Sequence, residues 1–196
     1  MKVLAGLGNP GRRYERTRHN VGWWVVDHLA DVWHFGAWRE DGHALAASGR
    51  LGATHVRLLK PLTFMNLSGN ALVPFLRRPG WSAAKDLMVI VDDVALPVGT
   101  WRFRPSGSSG GHNGLRSVEA QVGSQEYARL RVGIRPLNEE WMRGPLEEFV
   151  LGAAGVEEKR AITALLPEIT DSAERWVREQ QSTEVNESRP KSTKVD

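Results

Sequence analysis

Apolar residues fall along this chain in short blocks broken by Gly, Pro, Asn and Asp, and two spacings alternate from block to block. Lys2–Leu7 is a nearly continuous apolar run of buried-strand length that stops at a Gly/Pro loop. Val21, Trp24, Val25, Leu29 and Val32 then recur at helical spacing behind Asn20, a residue suited to cap a helix. His43–Gly49 and Thr54–Lys60 flank Leu51-Gly52 as a hairpin, Pro61 ends the second strand, and Ser68 can open a helix that runs to about Arg77. Leu87–Val91 is the clearest strand. Val98–Arg104 and Arg129–Ile134 predict two more, separated by a Gly/Ser loop and a helix from Asn113 to Val122.

Strands and helices therefore alternate, which predicts a three-layer α/β domain with a largely parallel or mixed sheet and ligand sites at the carboxyl ends of its strands. Asn9, Asn66 and Asp92 each follow a predicted strand. Val156, Ile162, Leu165, Leu166, Ile169, Ala173 and Trp176 mark a final helix over 156–180 with Pro167 as a kink point. Residues 181–196 lose this apolar content and read as a polar, mobile tail. Residues 1–180 thus form one catalytic-sized domain, since 196 residues bury a core without disulfides or metals.

Composition narrows the chemistry. There is no cysteine, which removes disulfides, thiolate metal sites, iron–sulfur clusters and thiol nucleophiles together. No apolar run approaches the roughly 18 residues of a membrane span, and Val3–Leu7 is too short for a signal sequence, so we expect a soluble, cytoplasmic protein with no membrane partner. Residues 1–150 carry 19 basic against 14 acidic residues, so the net charge of +3 resides in the body rather than the tail. Twenty of the 26 basic residues are Arg, which suits bidentate contact with phosphate but equally follows from a GC-rich genome.

Four polar segments stand where predicted strands and helices end: Asn9, Thr17-Arg18-His19-Asn20, Thr63-Phe64-Met65-Asn66 and Gly110-Gly111-His112-Asn113-Gly114. A lone Asn or His is usually a cap or a turn residue. Together they suggest one hydrolytic cleft that needs neither metal nor cofactor. His19 sits between a basic loop (Arg12, Arg13, Arg16, Arg18) and a helix start, and imidazole is the side chain that takes a proton from water near neutral pH. Asp92 can orient it, with Asp93 as the alternative.

Three familiar patterns fail on context. Gly6-Leu7-Gly8-Asn9-Pro10-Gly11 matches a dinucleotide fingerprint, but Pro10-Gly11 breaks the chain where a helix should face the pyrophosphate, so the glycines are read as a turn that aims Asn9. The Ser106–Gly114 loop lacks the lysine of a phosphate-binding loop, though it could act as an anion nest or a gate. His19, His112, Asp92 and Asp93 lack any standard metal-ligand spacing, so no metal is expected. Arg102, Arg104, Arg129 and Arg131 alternate along two predicted strands, so each pair projects to one face and could clamp a phosphate.

These segments resemble the bacterial peptidyl-tRNA hydrolases. Tyr14-x-x-Thr17-Arg18-His19-Asn20-x-Gly22 and Ser108-x-x-x-His112-Asn113-Gly114-Leu115-Arg116 look like the two family signatures. The Gly6–Gly11, Lys60–Gly69 and Arg129–Ile134 segments fall in the family's order. The resemblance implies a mixed, twisted central sheet flanked by helices, of the phosphorylase/hydrolase-like kind, and a monomer without cofactors whose partner is peptidyl-tRNA. It implies catalytic roles for His19, Asp92 and Asn113, and substrate contacts from Asn9, Tyr14, Phe64, Met65, Asn66, His112 and Asn113. It also implies tRNA contacts from Arg104 and Arg131, to which Arg102 and Arg18 add. Four departures stand out: Ala95 replaces an acidic residue, Arg104 stands where Lys is commoner, Ser106 replaces a glycine, and Gly133-Ile134-Arg135-Pro136 is one residue short of the usual segment. Two rivals are an RNA-binding protein of the same fold that has lost hydrolysis, and an esterase with a serine nucleophile. Gly-x-Ser-x-Gly is absent, which disfavours the second.

Overall fold

A computed structural model describes residues 1–138, 142 and 144–187. Seven strands, β1 (Lys2–Gly6), β2 (Arg39–Asp41), β3 (Ala44–Leu51), β4 (Thr54–Pro61), β5 (Leu87–Pro97), β6 (Trp101–Arg104) and β7 (Ala128–Arg135), form one sheet in the order β2-β3-β4-β1-β5-β7-β6. The β4-β1-β5-β7 centre is parallel, and both edges are antiparallel. The helices are α1 (Val21–Val32), α2 (Val73–Leu76), α3 (Ala83–Asp86), α4 (Asn113–Val122), α5 (Leu146–Leu151) and α6 (Val156–Glu187).

The two-residue period of the strands splits the core between the sheet faces. Leu4, Met88, Ile90, Leu130 and Val132 pack with α1 and α6 on one face. Val3, Ala5, Val89 and Val91 pack with Leu72, Phe75, Leu115 and Val118 on the other, which is the side of α2 and α4. A central sheet carries both cores, so the three-layer, mixed α/β architecture is as expected.

Four details differ from the sequence reading. β5 extends to Pro97 rather than ending at Val91, with a register shift between Asp93 and Pro97, so Asp92 lies within the strand. The helix expected from Ser68 is a 3-10 segment, Met65–Leu72, followed by the short α2. β6 begins only at Trp101. α6 passes through Pro167 without a break and continues to Glu187, so the expected boundary at 180 falls inside a helix. Residues 188–196 lie outside the described residues.

The glycines after β1 also act differently from the sequence reading. A Cβ on Gly6 would lie 2.2 Å from the Gly22 carbonyl oxygen, and one on Gly22 would lie 2.5 Å from the backbone of Leu7. These two residues let α1 press its backbone against the strand. Of Gly6, Gly8 and Gly11, only Gly11 has a positive φ, at 106°, and it turns the chain into the basic loop.

Candidate active site

The site lies at the carboxyl ends of β1, β4, β5 and β7, where the parallel centre of the sheet delivers four loops to one place. They enclose a cavity of about 470 Å³ lined by Asn9, Tyr14, His19, Phe64, Met65, Asn66, Asp92, His112, Asn113 and Arg131, among others. Ten of the expected site residues therefore share one wall. Arg18, Arg102 and Arg104 do not belong to it.

Asp92 is the buried centre, 3% exposed. Its carboxylate accepts from His19 Nδ1 at 2.9 and 3.0 Å and from His112 Nε2 at 3.0 Å. The period of β5 separates the two acids: Asp92 faces His19, which precedes α1, while Asp93 faces the α4 side and pairs with Arg131 at 3.2 Å. Asp93 is therefore not the orienter. Burial opposes the charge on Asp92, but the facing imidazoles of His112 and His19 outweigh it by charge and hydrogen bonding, holding the carboxyl well below the ordinary carboxylate range. With Nδ1 of His19 donating to Asp92, its Nε2 is left as the acceptor, and the ring borders the cavity.

His112 was expected to contact substrate, and the structure commits both of its ring nitrogens elsewhere. Nδ1 caps α4 by accepting from the backbone N–H of Gly114 at 3.1 Å and Leu115 at 3.3 Å. An acceptor nitrogen carries no proton, so Nε2 bears the hydrogen and donates it to Asp92.

The three asparagines present amides of different freedom. Asn9 Oδ1 accepts from the Met65 backbone N–H at 2.7 Å, which turns its NH₂ group away and leaves it as a donor at the cavity. Asn66 is exposed and makes no side-chain hydrogen bond among the described residues, and Asn113 accepts only a long 3.5 Å contact from Arg116. Met65 is 5% exposed, and Tyr14 meets Phe64 edge to face with centroids 6.4 Å apart. They form an apolar rim and wall.

Asn20 was read as a helix cap within the Thr17–Asn20 segment, and it makes no cap hydrogen bond. Instead its buried amide clasps the backbone of Asn9, accepting from Asn9 N–H and donating to Asn9 C=O, each at 2.9 Å. No sequence pattern signals such a contact across 11 residues. The α5 wall, which includes Leu146, Val150 and Leu151, was also missed. Its signal was present in Pro145 followed by Glu147 and Glu148, a helix start with an acidic first turn.

The arginines divide sharply. Arg18 donates to Glu158 at 2.9 and 2.8 Å and to the Phe149 carbonyl, and its guanidinium stacks on the Phe149 ring, so its charge is spent tying the His19 turn to α5 and α6. Arg129 is fully buried against the Gln125 and Tyr127 carbonyls and Glu119. It holds the strand and is not half of a clamp. Arg131 borders the cavity and ties the Ser108 carbonyl at 2.8 Å, which restrains the glycine loop. Arg102 and Arg104 project from the edge strand β6, exposed, on the same face as Arg131.

His19, Asp92 and His112 each have a ligand atom within 4.8 Å of the others, a spacing that a divalent ion could span. Both imidazoles turn the nitrogen that faces Asp92 into a hydrogen-bond donor, so an ion would have to displace both protons.

The family model for peptidyl-tRNA hydrolase matches residues 3–195. A peptidyl-tRNA hydrolase from Gemmatimonas aurantiaca is 53% identical over 179 residues, covering 91% of this chain and 94% of that one. One from Chlorobium chlorochromatii is 42% identical over 88% of this chain and 90% of its own length. Among solved structures, peptidyl-tRNA hydrolase from Acinetobacter baumannii superposes with a TM-score of 0.80 at 32% identity, covering 95% of this chain and 93% of that one. With a polar cleft at the strand ends, a matching fold and relatives of nearly the same length, this chain belongs to the peptidyl-tRNA hydrolase family.

Proposed function

We propose that this protein hydrolyses the ester joining a peptide's carboxyl terminus to the 3′-terminal ribose of tRNA, with His19 as the base that activates water. The carrying observation is the buried His19–Asp92 pair at 2.9 Å, opening its free imidazole edge onto a cavity that also holds three Asn amides. His19 Nε2 takes a proton from water as the water oxygen attacks the ester carbonyl, while Asp92 stabilises the resulting imidazolium through Nδ1–H. When the tetrahedral intermediate collapses, the ribose 3′-oxygen leaves and recovers that proton, giving a free peptide carboxylic acid and tRNA.

Asn113 positions the water or donates to the developing oxyanion. Asn9, whose Oδ1 is already bound, offers its NH₂ to a peptide carbonyl, and Asn66 adds a second amide. Contacts to backbone groups, beside the adaptable Met65, suit a substrate whose side chains vary. Arg104 and Arg131 supply positive charge for tRNA phosphate. Arg18 is left out because Glu158 and the Phe149 carbonyl and ring hold it outside the cavity, which Arg131, though paired with Asp93, still borders.

The test is turnover of a defined peptidyl-tRNA by purified protein, with and without chelator. Ester cleavage that survives chelation supports the reading. Binding of tRNA with the ester left intact establishes the silent RNA-binding alternative. The same reading carries a cytoplasmic monomer, checked by sedimentation at working concentration; among the described residues no helix is long and apolar enough to cross a membrane.

A further inference from the structure

Between Gly11 and His19 the chain carries Arg12, Arg13, Arg16 and Arg18 with one acidic residue, Glu15. Four cations so close together repel one another. Arg18 escapes by pairing with Glu158, whereas Arg12, Arg13 and Arg16 are exposed and pair with no carboxylate among the described residues. The backbone that bears them is nonetheless held firmly. Tyr14 N–H bonds the Gly11 carbonyl, Thr17 N–H and Oγ1 bond the Tyr14 carbonyl, and Trp24 Nε1 bonds the Glu15 carbonyl. Ala154 N–H bonds the Arg16 carbonyl, and Thr17 bridges to Ala153. A solvated loop needs no such anchoring.

The loop also borders the cavity. Tyr14 lines it, and the Arg13 guanidinium stacks 4.5 Å above the Tyr14 ring, which in turn meets the exposed Phe64. This loop follows β1, whereas Arg131 and Arg104 lie on β7 and β6, beyond the β5 strand that carries Asp92. At about 4.8 Å per strand, cations flank the catalytic pair on both sides, roughly 10–15 Å apart. Resting on the hydrolase reading, we propose that Arg12, Arg13 and Arg16 bind the phosphates of the unpaired 3′ end of the substrate RNA, opposite the Arg104/Arg131 side. Arg13, stacked on Tyr14, also offers a planar surface beside an unpaired base.

Two ester substrates isolate the loop: a peptidyl ester of the trinucleotide CCA, which carries only the terminal phosphates, and a peptidyl ester of adenosine, which carries none. In the triple variant R12Q/R13Q/R16Q, the preference of the enzyme for the CCA ester over the adenosine ester falls at least about fivefold. The loss lies in KM, and the salt dependence of KM flattens by about 0.7 for each phosphate no longer neutralised. R12K/R13K/R16K retains most of the preference. An unchanged preference and salt slope in the Gln variant overturns the proposal. Anisotropy titration of a non-hydrolysable CCA oligonucleotide reads the same interaction without turnover. If the wild-type protein leaves intact peptidyl-tRNA uncleaved, the hydrolase reading fails, while the anisotropy comparison still decides the loop: equal affinity in wild type and Gln variant refutes it, and weakened affinity upholds it.

Discussion

His112 touches Asp92 with one ring nitrogen and caps α4 with the other, so a single tautomer joins a buried carboxylate to a helix end. The arrangement leaves Asp92 as an acceptor from both sides. It also means that the glycine-rich loop, which ends at this histidine, is connected to the charge that supports His19. We expect His112→Ala to loosen α4 by about 1 kcal/mol, the usual worth of a cap, and also to lower kcat. His112→Asn, which can cap but is too short to reach Asp92 from the same backbone, restores thermal stability more than it restores turnover; comparison of Tm with kcat in the two variants checks this.

His19→Ala removes the proposed base, so the expected outcome is a folded protein with turnover reduced by about 10²–10⁴-fold and tRNA affinity kept. Single-turnover kinetics beside a binding titration separates the two effects. Near-normal turnover would dismiss His19 as the base.

Asp92 carries a pH prediction with a defined sign. Its carboxyl is held below the ordinary carboxylate range in the folded protein, so the unfolded chain binds this proton first. The stability it contributes is complete above about pH 4, the unfolded value, and is lost as pH falls from there through the lower folded value. Asp92→Asn removes that part of the acid dependence and puts an amide against two imidazole donors, lowering turnover strongly at neutral pH. Denaturant midpoints from pH 2 to 7 in both proteins measure the difference.

Asn20→Ala deletes two buried hydrogen bonds to the Asn9 backbone and leaves those groups unpaired, at about 1–3 kcal/mol each if no water replaces the amide. Asn9 then loses its fixed aim, so the variant loses kcat/KM although Asn20 itself does not line the cavity. Chemical denaturation and steady-state kinetics report the two parts.

The arginines give opposite signatures. Arg104→Gln, at an exposed site, leaves stability unchanged, weakens tRNA binding and flattens its salt dependence by about 0.9 for each phosphate that the arginine had neutralised. Arg18→Ala strands the buried Glu158 carboxylate, so it destabilises by about 3–5 kcal/mol and leaves that slope intact. Equal slopes in Arg104→Gln and wild type would remove Arg104 from the tRNA-binding surface.

The sequence alone determined the alternation of strand and helix, the α4 span from Asn113 to Val122, and which polar segments meet at one cleft, because periodicity and turn chemistry are local properties. It also carried the family motifs. The tertiary structure decided which of two adjacent acids meets His19, since that depends on the face β5 turns toward α1. It decided that Arg129 and Arg18 are structural while Arg102 and Arg104 stand exposed, because an arginine's partner lies on another element: Glu158 is 140 residues from Arg18. It gave His112 its two hydrogen-bonding roles and Asn20 its hold on Asn9 for the same reason. Local sequence specifies what a residue can donate or accept; only packing brings the partner within about 3 Å.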